Sequence, residues 1–402
     1  MKLSPAAKKA FLLGGLCSIS YLAVYVAKGA LSAASPGMTA AGAFTTEQIG
    51  TLSSIYFIVY AFGQMINGFI GDRIKAKYMI SFGLILASAG FLLLPQLAGH
   101  SIYAYIAYGS AGFFMAMIYG PMTKVVAENT EPVYATRCSI GYTMASFLGS
   151  PAAGILAAVL VWQWLFRSTG TMLVIMGAIA FFCFTLMEKK GIVRYGQYAR
   201  KKGKKGSVKL LIRRQIIKFT FIALLTGVVR TSVVFWLPTY ISQHLGFRPE
   251  TATLIFSVAS FAFSFSAVIA IIVYEKLKRN MDLTILLAFI ASAVFFLLVF
   301  LVKHPFINVI LMALAILSNN LAASMMWSRY CPSLYDTGMV STATGFLDCC
   351  SYLAASVSSK LFANAAGTLG WGALILVWCG LMCCGIIVAL PWRKKQTSEV
   401  SL

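Results

Sequence analysis

Acidic residues are scarce in this 402-residue chain, where 11 Asp and Glu stand against 33 Lys and Arg, and there are three His. Charged residues of either sign make up 11% of the total, less than half the share of roughly 25% in a soluble domain, which excludes a water-soluble globular fold. All three His (His100, His244 and His304) fall in short loops, and none is spaced with Cys or an acid as a metal site requires. No nucleophile stands beside a base, so enzymatic activity is not expected, nor is a metal or cofactor. Most of the nine Cys, among them Cys17, Cys183, Cys349, Cys350, Cys379, Cys383 and Cys384, lie inside apolar runs, where cysteine serves as a small packing residue.

What fills the chain is hydrophobic: 59% of residues, with a mean hydropathy of +0.83. At about 20 residues per crossing, the length holds roughly twelve membrane-spanning helices. Helix is the expected form, because lipid leaves strand edges unsatisfied and barrel strands would alternate over about ten residues. Spans are expected near 10–33, 48–71, 78–97, 102–123, 138–161 and 167–187, then 217–243, 251–274, 282–302, 305–328, 338–362 and 369–391. The opening MKLSPAAKKAFLLGGLC has the charged and apolar parts of a signal peptide. Its apolar run continues too far without a cleavage site, and a retained first helix is expected.

Orientation follows from the bases. With the N-terminus in the cytoplasm, cytoplasmic segments collect 27 of the 33 Lys and Arg, which places both termini inside. The run EKKGIVRYGQYARKKGKKGSVKLLIRRQ has no acid between Glu188 and Glu250. Such a charge run can bind nucleic acid or acidic lipid, but here it reads as a solvated linker that fixes topology, with no nucleic acid partner expected. Its end, Val208 to Gln215, fits a short amphipathic helix along the inner leaflet. The expected division is therefore 1–188, a six-helix bundle; 189–216, a basic cytoplasmic linker; and 217–402, a second six-helix bundle with a short tail.

The two sets of six repeat each other. Asp72-Arg73-Ile74-Lys75 follows the second span, and Glu275-Lys276-Leu277-Lys278 follows the eighth. Two bases inside spans repeat as well: Lys28 precedes Asp72 by 44 residues, and Arg230 precedes Glu275 by 45. A charge at that depth costs about 3 kcal/mol or more and persists only when it faces a cavity or a partner. Of the eleven acids one, Asp348, lies deep in a span. It can be a counter-ion for Arg230 or Lys28, a contact for a substrate amine or hydroxyl, or a proton site.

Two stretches carry a resemblance. Gly68 to Lys77 (GFIGDRIKAK) resembles the loop signature between helices two and three of the major facilitator superfamily. Arg230 to Tyr240 (RTSVVFWLPTY) resembles helix seven of its organophosphate:phosphate antiporter family. Tyr21, Tyr25 and Lys28 ahead of Pro36, the stretch from Ser54 and Tyr56 to Asp72-Arg73, and Ala343 to Ser356 fit that family too. The resemblance implies an all-α membrane protein of twelve transmembrane helices in two pseudo-symmetric six-helix bundles, in the cell inner membrane. It implies that a base from helix one and an Arg from helix seven jointly hold the phosphate of an organophosphate, exchanged for inorganic phosphate. The matching residues are Lys28 and Arg230. The chain departs from the family in having Lys28 where Arg is usual, a point charge in place of a bidentate fork, and no His among Tyr142 to Ser150.

Around these bases the expected cavity lining is Tyr21, Tyr25, Tyr56, Tyr60, Gln64, Tyr119, Tyr142, Trp236, Tyr240, Asn319, Asn320 and Asp348. Tyr56, Tyr60 and Gln64 are four apart and share one helix face, as do Tyr21, Tyr25 and Lys28. Packing or an interfacial belt is the plain alternative for each Tyr, and helix–helix hydrogen bonding for the two Asn. Gly120-Pro121 is expected to end helix four, Gly149-Ser-Pro151 to interrupt helix five and Pro238 to kink helix seven. Asp72 and Arg73, with Glu275 as a weaker copy, are expected to latch the cytoplasmic helix ends. A monomer carrying a small anionic substrate across the lipid bilayer by alternating access is the expectation. A proton-coupled anion symporter using Asp348 and a transporter-like substrate sensor are the rivals.

Overall fold

A backbone N–H or C=O without a partner in hydrocarbon is so costly that long apolar runs fold as helices, which satisfy themselves. The computed structural model describes residues 4–71, 74–195, 208–334 and 340–390, and its regular structure there is helical throughout. The first set is α1 (Pro5–Ala40), α2 (Thr46–Gly71), α3 (Ala76–Leu93), α4 (Ser101–Met115) continued by α5 (Tyr119–Asn129), α6 (Pro132–Val159) and α7 (Trp162–Lys189). The second begins with the short α8 (Val208–Arg213). A long rod follows, made of α9 (Ile216–Gly227), a π turn (Val228–Val233) and α10 (Val234–Gln243). Next come α11 (Pro249–Phe263) with α12 (Ser266–Lys276), and α13 (Met281–Leu301). The chain then runs through α14 (Pro305–Met325) with a second π turn (Met326–Tyr330) and α15 (Cys331–Ser333), and ends in α16 (Val340–Thr368) and α17 (Gly370–Ala389). Ten of these rods are long and apolar enough to cross a membrane by composition alone, while α6 and α16 complete a set of twelve among the described residues.

Proline accounts for three differences from the sequence reading. Helix one does not stop near residue 33 but runs through Pro36 to Ala40, with Met38 fully buried in its last turn. Pro151 does not interrupt α6, which runs from Pro132 to Val159; at this point the helix packs on α11, whose Ser257 hydroxyl donates to the Pro151 carbonyl at 2.6 Å. Gly120 and Pro121 do not end helix four; they open α5, and Pro121 sits in its first turn, where a missing N–H costs nothing. The break lies at Ala116–Ile118 instead. Pro238 continues α10, and the irregularity in that rod is the π turn carrying Arg230.

The two sets of rods meet along a seam of hydroxyls and small residues. Ser32 Oγ donates to the Phe235 carbonyl at 2.6 Å, and Ser35 and Thr239 share a hydrogen bond of 2.6 Å, joining α1 to α10. Ser53 of α2 and Ser232 of the π turn both meet Ser359 of α16, at 3.3 and 3.0 Å, and Ser356 Oγ donates to the Ser54 carbonyl at 2.7 Å. Gly50 lets α2 approach so closely that an added Cβ would meet Ala363, with Ser359 O at 3.2 Å and a Trp236 ring carbon at 3.3 Å. All of these contacts lie toward the end where α1 finishes and α2 begins. Toward the other end, Met65 of α2, Tyr119 of α5 and Phe346 of α16 are exposed. Gly50→Trp should therefore hold the seam apart. A Cys placed at Ser35 should then react with a membrane-impermeant maleimide at least about tenfold faster than in the parent protein.

At the open end, Lys75 and Lys77 both reach Glu188 at the end of α7, the first at 2.7 Å. That hydrogen bond holds the Lys75 ammonium above its ordinary pKa. Asn129 pins the start of the basic segment to α5: its Nδ2 donates to the Arg194 carbonyl at 3.0 Å, and Arg194 N donates to its Oδ1 at 2.7 Å. Val193 is buried beside this contact while Lys190, Gly191 and Arg194 are exposed, and the α8 helix forms within the stretch expected for it; residues 196–207 lie outside the described residues. Asp72 and Arg73 lie outside them too. Glu275 is exposed and is in no described ion pair.

Candidate functional site

The π turn presents Arg230. A π turn takes up an extra residue and rotates side chains relative to the flanking helix, a distortion concentrated at functional sites. The Arg230 side chain is 34% exposed, and its Nη2 stands 3.8 Å from Oδ1 of Asp348 on α16, itself 26% exposed. The guanidinium also lies 5.8 Å from the centre of the Trp327 ring. No hydrogen bond from Arg230 is among the described contacts. Five N–H donors in a fork, one-third exposed, thus have a loose ion pair as their main charge partner.

Gly227, at the end of α9, makes the pair possible. A Cβ there would lie 2.6 Å from the Ser351 carbonyl oxygen and 2.8 Å from Ser351 Cα, so the α9 and α16 backbones touch one turn before Arg230. Gly149 does the same for the first set, where an added Cβ would lie 2.6 Å from the backbone carbon of Tyr25. Small residues at crossings let membrane helices approach this closely.

Lys28 is held by rings. Its Nζ donates to the Tyr352 hydroxyl at 2.6 Å and lies 4.3 Å from the Tyr352 ring centre, 4.5 Å from that of Tyr60 and 5.4 Å from that of Tyr25. Each aromatic face attracts the ammonium by about 0.5–2 kcal/mol, which offsets part of the desolvation of a charge at this depth. Tyr352 belongs to α16 and Tyr60 to α2, so this cage spans both sets of rods. The two bases lean on the same helix: Arg230 on Asp348, Lys28 on Tyr352 one turn along.

The remaining expected residues divide into two groups. Tyr21 lies 4.9 Å from Tyr25, 5.5 Å from Tyr119 and 6.1 Å from Tyr142, ring centre to ring centre, and extends the aromatic wall beside Lys28. Gln64 lies beside the Tyr60 hydroxyl and Tyr56 stacks on the Tyr60 ring, although the Tyr56 hydroxyl turns to Met115 Sδ at 3.1 Å. Trp236 and Tyr240 are placed apart from the bases. Trp236 Nε1 donates to the Ser359 carbonyl at 3.2 Å, and the Tyr240 hydroxyl donates to Asn308 Oδ1 at 2.5 Å, both in fully buried seams. Asn319 and Asn320 are buried in α14, where Asn319 Nδ2 donates to the Thr226 carbonyl at 3.4 Å, one turn before Arg230.

Tyr352 and Trp327 were missed in the sequence. For Tyr352 a signal existed: it stands four residues after Asp348 and so shares its face of α16. For Trp327 there was none, because an aromatic residue at the end of an apolar run reads equally well as an interface anchor.

Two bases and one acid leave the cluster with one formal net positive charge in a part-exposed site walled by aromatic rings. Such a site can hold a small anion by charge and by the Arg fork, and can release it as Asp348 competes for the same guanidinium. No group of three or more His, Cys, Asp or Glu that can hold a metal ion occurs among the described residues.

Comparison with known proteins covers nearly the whole chain. The model of the Major Facilitator Superfamily matches residues 17–359. The "Membrane sensor protein UhpC" of Escherichia coli is 21% identical over 407 residues, spanning 94% of this chain and 91% of that one. Its counterpart in Salmonella typhimurium is 31% identical over 67 residues, 17% of this chain and 15% of that one. The "Glycerol-3-phosphate transporter" of Bacillus subtilis is 22% identical over 258 residues, 58% of this chain and 57% of that one. Among solved structures, the inward-open xylose transporter XylE of E. coli superposes with a TM-score of 0.73 at 12% identity, covering 97% of this chain and 98% of that one.

Proposed function

The chain belongs to the major facilitator superfamily, a multi-pass membrane transporter with its twelve-helix fold, and on that premise we propose that it exchanges a small organophosphate for inorganic phosphate. The observation that carries this reading is Arg230: a guanidinium deep in a membrane rod, one-third exposed, with a single loose ion contact at 3.8 Å and no described hydrogen bond. Lys28 supplies the second charge from the opposite set of rods. An anion bound by both joins the two sets and stabilises an occluded state that the empty carrier reaches only at higher cost. Exchange follows from that arrangement, since the carrier crosses readily when loaded. The glycerol-phosphate relative supports the choice of anion.

The basic residues at the open end support a cytoplasmic position for that end by the positive-inside rule; on this reading the hydroxyl seam closes the outer side and the site opens inward. Asp348 acts as the counter-ion that the anion displaces. Asp348→Asn should then tighten phosphate binding about tenfold, since no carboxylate competes, and slow turnover because release is slower. The proton-coupled reading predicts the opposite split, with accumulation lost and exchange intact.

A second reading has its own support: the relative matched over 94% of this chain is a membrane sensor. A sensor binds anion but carries little. Counterflow in proteoliposomes, with labelled phosphate against a panel of organic phosphates and carboxylates, separates the readings. Exchange of phosphate for an organophosphate supports the antiporter. Binding without flux favours the sensor. Absence of exchange and of binding overturns the anion site itself.

A further inference from the structure

A groove of about 460 Å³ runs down one flank of α7. Its walls recur every three or four residues, through Trp164, Ser168, Thr171, Ile175 and Ile179, so they share one face of the helix. The opposite face of α7 is pressed onto α3: a Cβ at Gly170 would lie 2.7 Å from Leu92 Cγ, and one at Gly177 would lie 2.6 Å from Ile85 Cγ1. The groove face stays open, with Trp164 58% and Ile175 54% exposed. Its single charged residue, Arg167, stands at one end, about 8 Å along the helix from the start of α7 at Trp162. The Trp162 ring lies 6.2 Å from that of Phe44, between α1 and α2, so this is the end where the hydroxyl seam lies. The Arg167 guanidinium is 5.2 Å from the centre of the Trp164 ring and is in no described hydrogen bond or ion pair. Past it the hydroxyls return to the helix: Ser168 Oγ donates to the Leu165 carbonyl at 3.0 Å, and Thr171 Oγ1 to the Arg167 carbonyl at 2.8 Å. The floor that remains is Met172, Ile175, Met176 and Ile179, all apolar.

A partner for this flank must carry negative charge at one end and hydrocarbon along the rest. From Arg167 to Ile179 the helix rises about 18 Å, close to the half-thickness of about 15 Å that the chains of one leaflet fill. A free anion matches the guanidinium and leaves the floor uncovered. An apolar helix matches the floor and leaves a desolvated guanidinium with no counter-charge, which is costly in a bilayer. A phospholipid matches both: its phosphate accepts the paired N–H donors, and a chain lies along the floor. Because no described carboxylate pairs with Arg167, a headgroup of net negative charge is favoured over a zwitterionic one, whose own cation the guanidinium repels.

We propose that this flank of α7 is a binding site for an anionic phospholipid of the leaflet at the seam end. Arg167 holds the phosphate beside the Trp164 ring, and the stripe from Met172 to Ile179 holds an acyl chain. The site is separate from Lys28 and Arg230 and stands whether or not those bases bind an anion. Its effect falls on the stability of the first set of rods, because the lipid covers apolar surface on α7 and supplies Arg167 with a counter-charge.

The test uses the full-length protein, purified in detergent and stripped of lipid. Phosphatidylglycerol or phosphatidylcholine with the same chains is added back, retained lipid is read by native mass spectrometry, and stability by thermal unfolding. Arg167→Gln should weaken retention of the tightest-held phosphatidylglycerol about fivefold, the effect of one base facing an anionic headgroup, and should reduce the rise in Tm that this lipid gives. Retention of phosphatidylcholine should change little. Ile175→Trp, which fills the floor and keeps the charge, should weaken retention of both lipids. Phosphatidylglycerol retention that is unchanged in Arg167→Gln overturns the proposal and assigns that lipid to the basic residues of the open end. Retention unchanged in Ile175→Trp overturns the acyl-chain groove. A dimer that Ile175→Trp dissociates, with no lipid lost, also overturns it, because the flank would then be covered by a second copy of the chain.

Discussion

Arg230→Lys, the mildest change available at the site, should lower anion exchange by about two orders of magnitude. The substitution keeps the charge and removes the fork. A guanidinium presents paired N–H donors that match two phosphate oxygens at once, whereas an ammonium is a compact, strongly hydrated point charge. Removing one charged partner of a bound anion costs about 2–5 kcal/mol of binding, and the upper part of that range belongs to Arg230→Gln, which removes the charge as well as the fork. Because the guanidinium donates no hydrogen bond among the described contacts, both variants should remain folded. Their circular dichroism and size-exclusion profiles should match the parent protein while counterflow falls. If Arg230→Lys transports normally, Arg230 is a packing charge and the anion site lies elsewhere.

Gly149→Val should disrupt the fold itself. A Cβ at residue 149 falls against Tyr25, 2.6 Å from its backbone carbon and 2.9 Å from its Cα, and backbone cannot swing aside as the end of a long side chain can. The helices α1 and α6 must therefore separate along their crossing. Overpacking of flexible side chains costs about 1–3 kcal/mol, and a clash with backbone lies at or beyond the top of that range. Tyr25 is part of the cage around Lys28, so any protein that does fold should also bind phosphate more weakly. The control is Gly15, also in α1, where an added Cβ meets nothing within 4 Å. Gly15→Ala should change stability by no more than about 1 kcal/mol, in the stabilising direction that helix propensity gives. Thermal unfolding in detergent distinguishes the two. A small effect at Gly149 would mean that the α1–α6 crossing is looser than the structure has it.

The rods and their order were legible because a bilayer leaves a chain few options. Twenty apolar residues with no charge have one stable form, and twelve such runs divided by a basic stretch give the order without any long-range contact. The bases were legible for the same reason: Lys28, Arg230 and Asp348 stand out because a charge is costly where they lie. The rest of the site was harder. Tyr21, Tyr25, Tyr60 and Gln64 sit near the bases, yet Trp236 and Tyr240, which share a motif with Arg230, spend their polar atoms on Ser359 and Asn308. Spacing along one helix shows which residues share a face but not which neighbour that face meets. The π turns at Arg230 and Trp327 left no sequence mark, and they decide where those two side chains point. Pro121 and Pro151 misled because each is accommodated in a helix, the first in an opening turn and the second where α6 packs on α11, and neither is visible before the rods are packed.

Phosphate binding to a set of four proteins tests the account most directly: the parent, Lys28→Gln, Arg230→Gln and the double variant, measured by calorimetry in detergent. If one anion bridges the two bases, each single change removes most of the affinity and the second adds little, giving a coupling energy of about 1–3 kcal/mol. Additive losses, or a Lys28→Gln protein that binds phosphate as tightly as the parent, would show that no single anion joins Lys28 to Arg230.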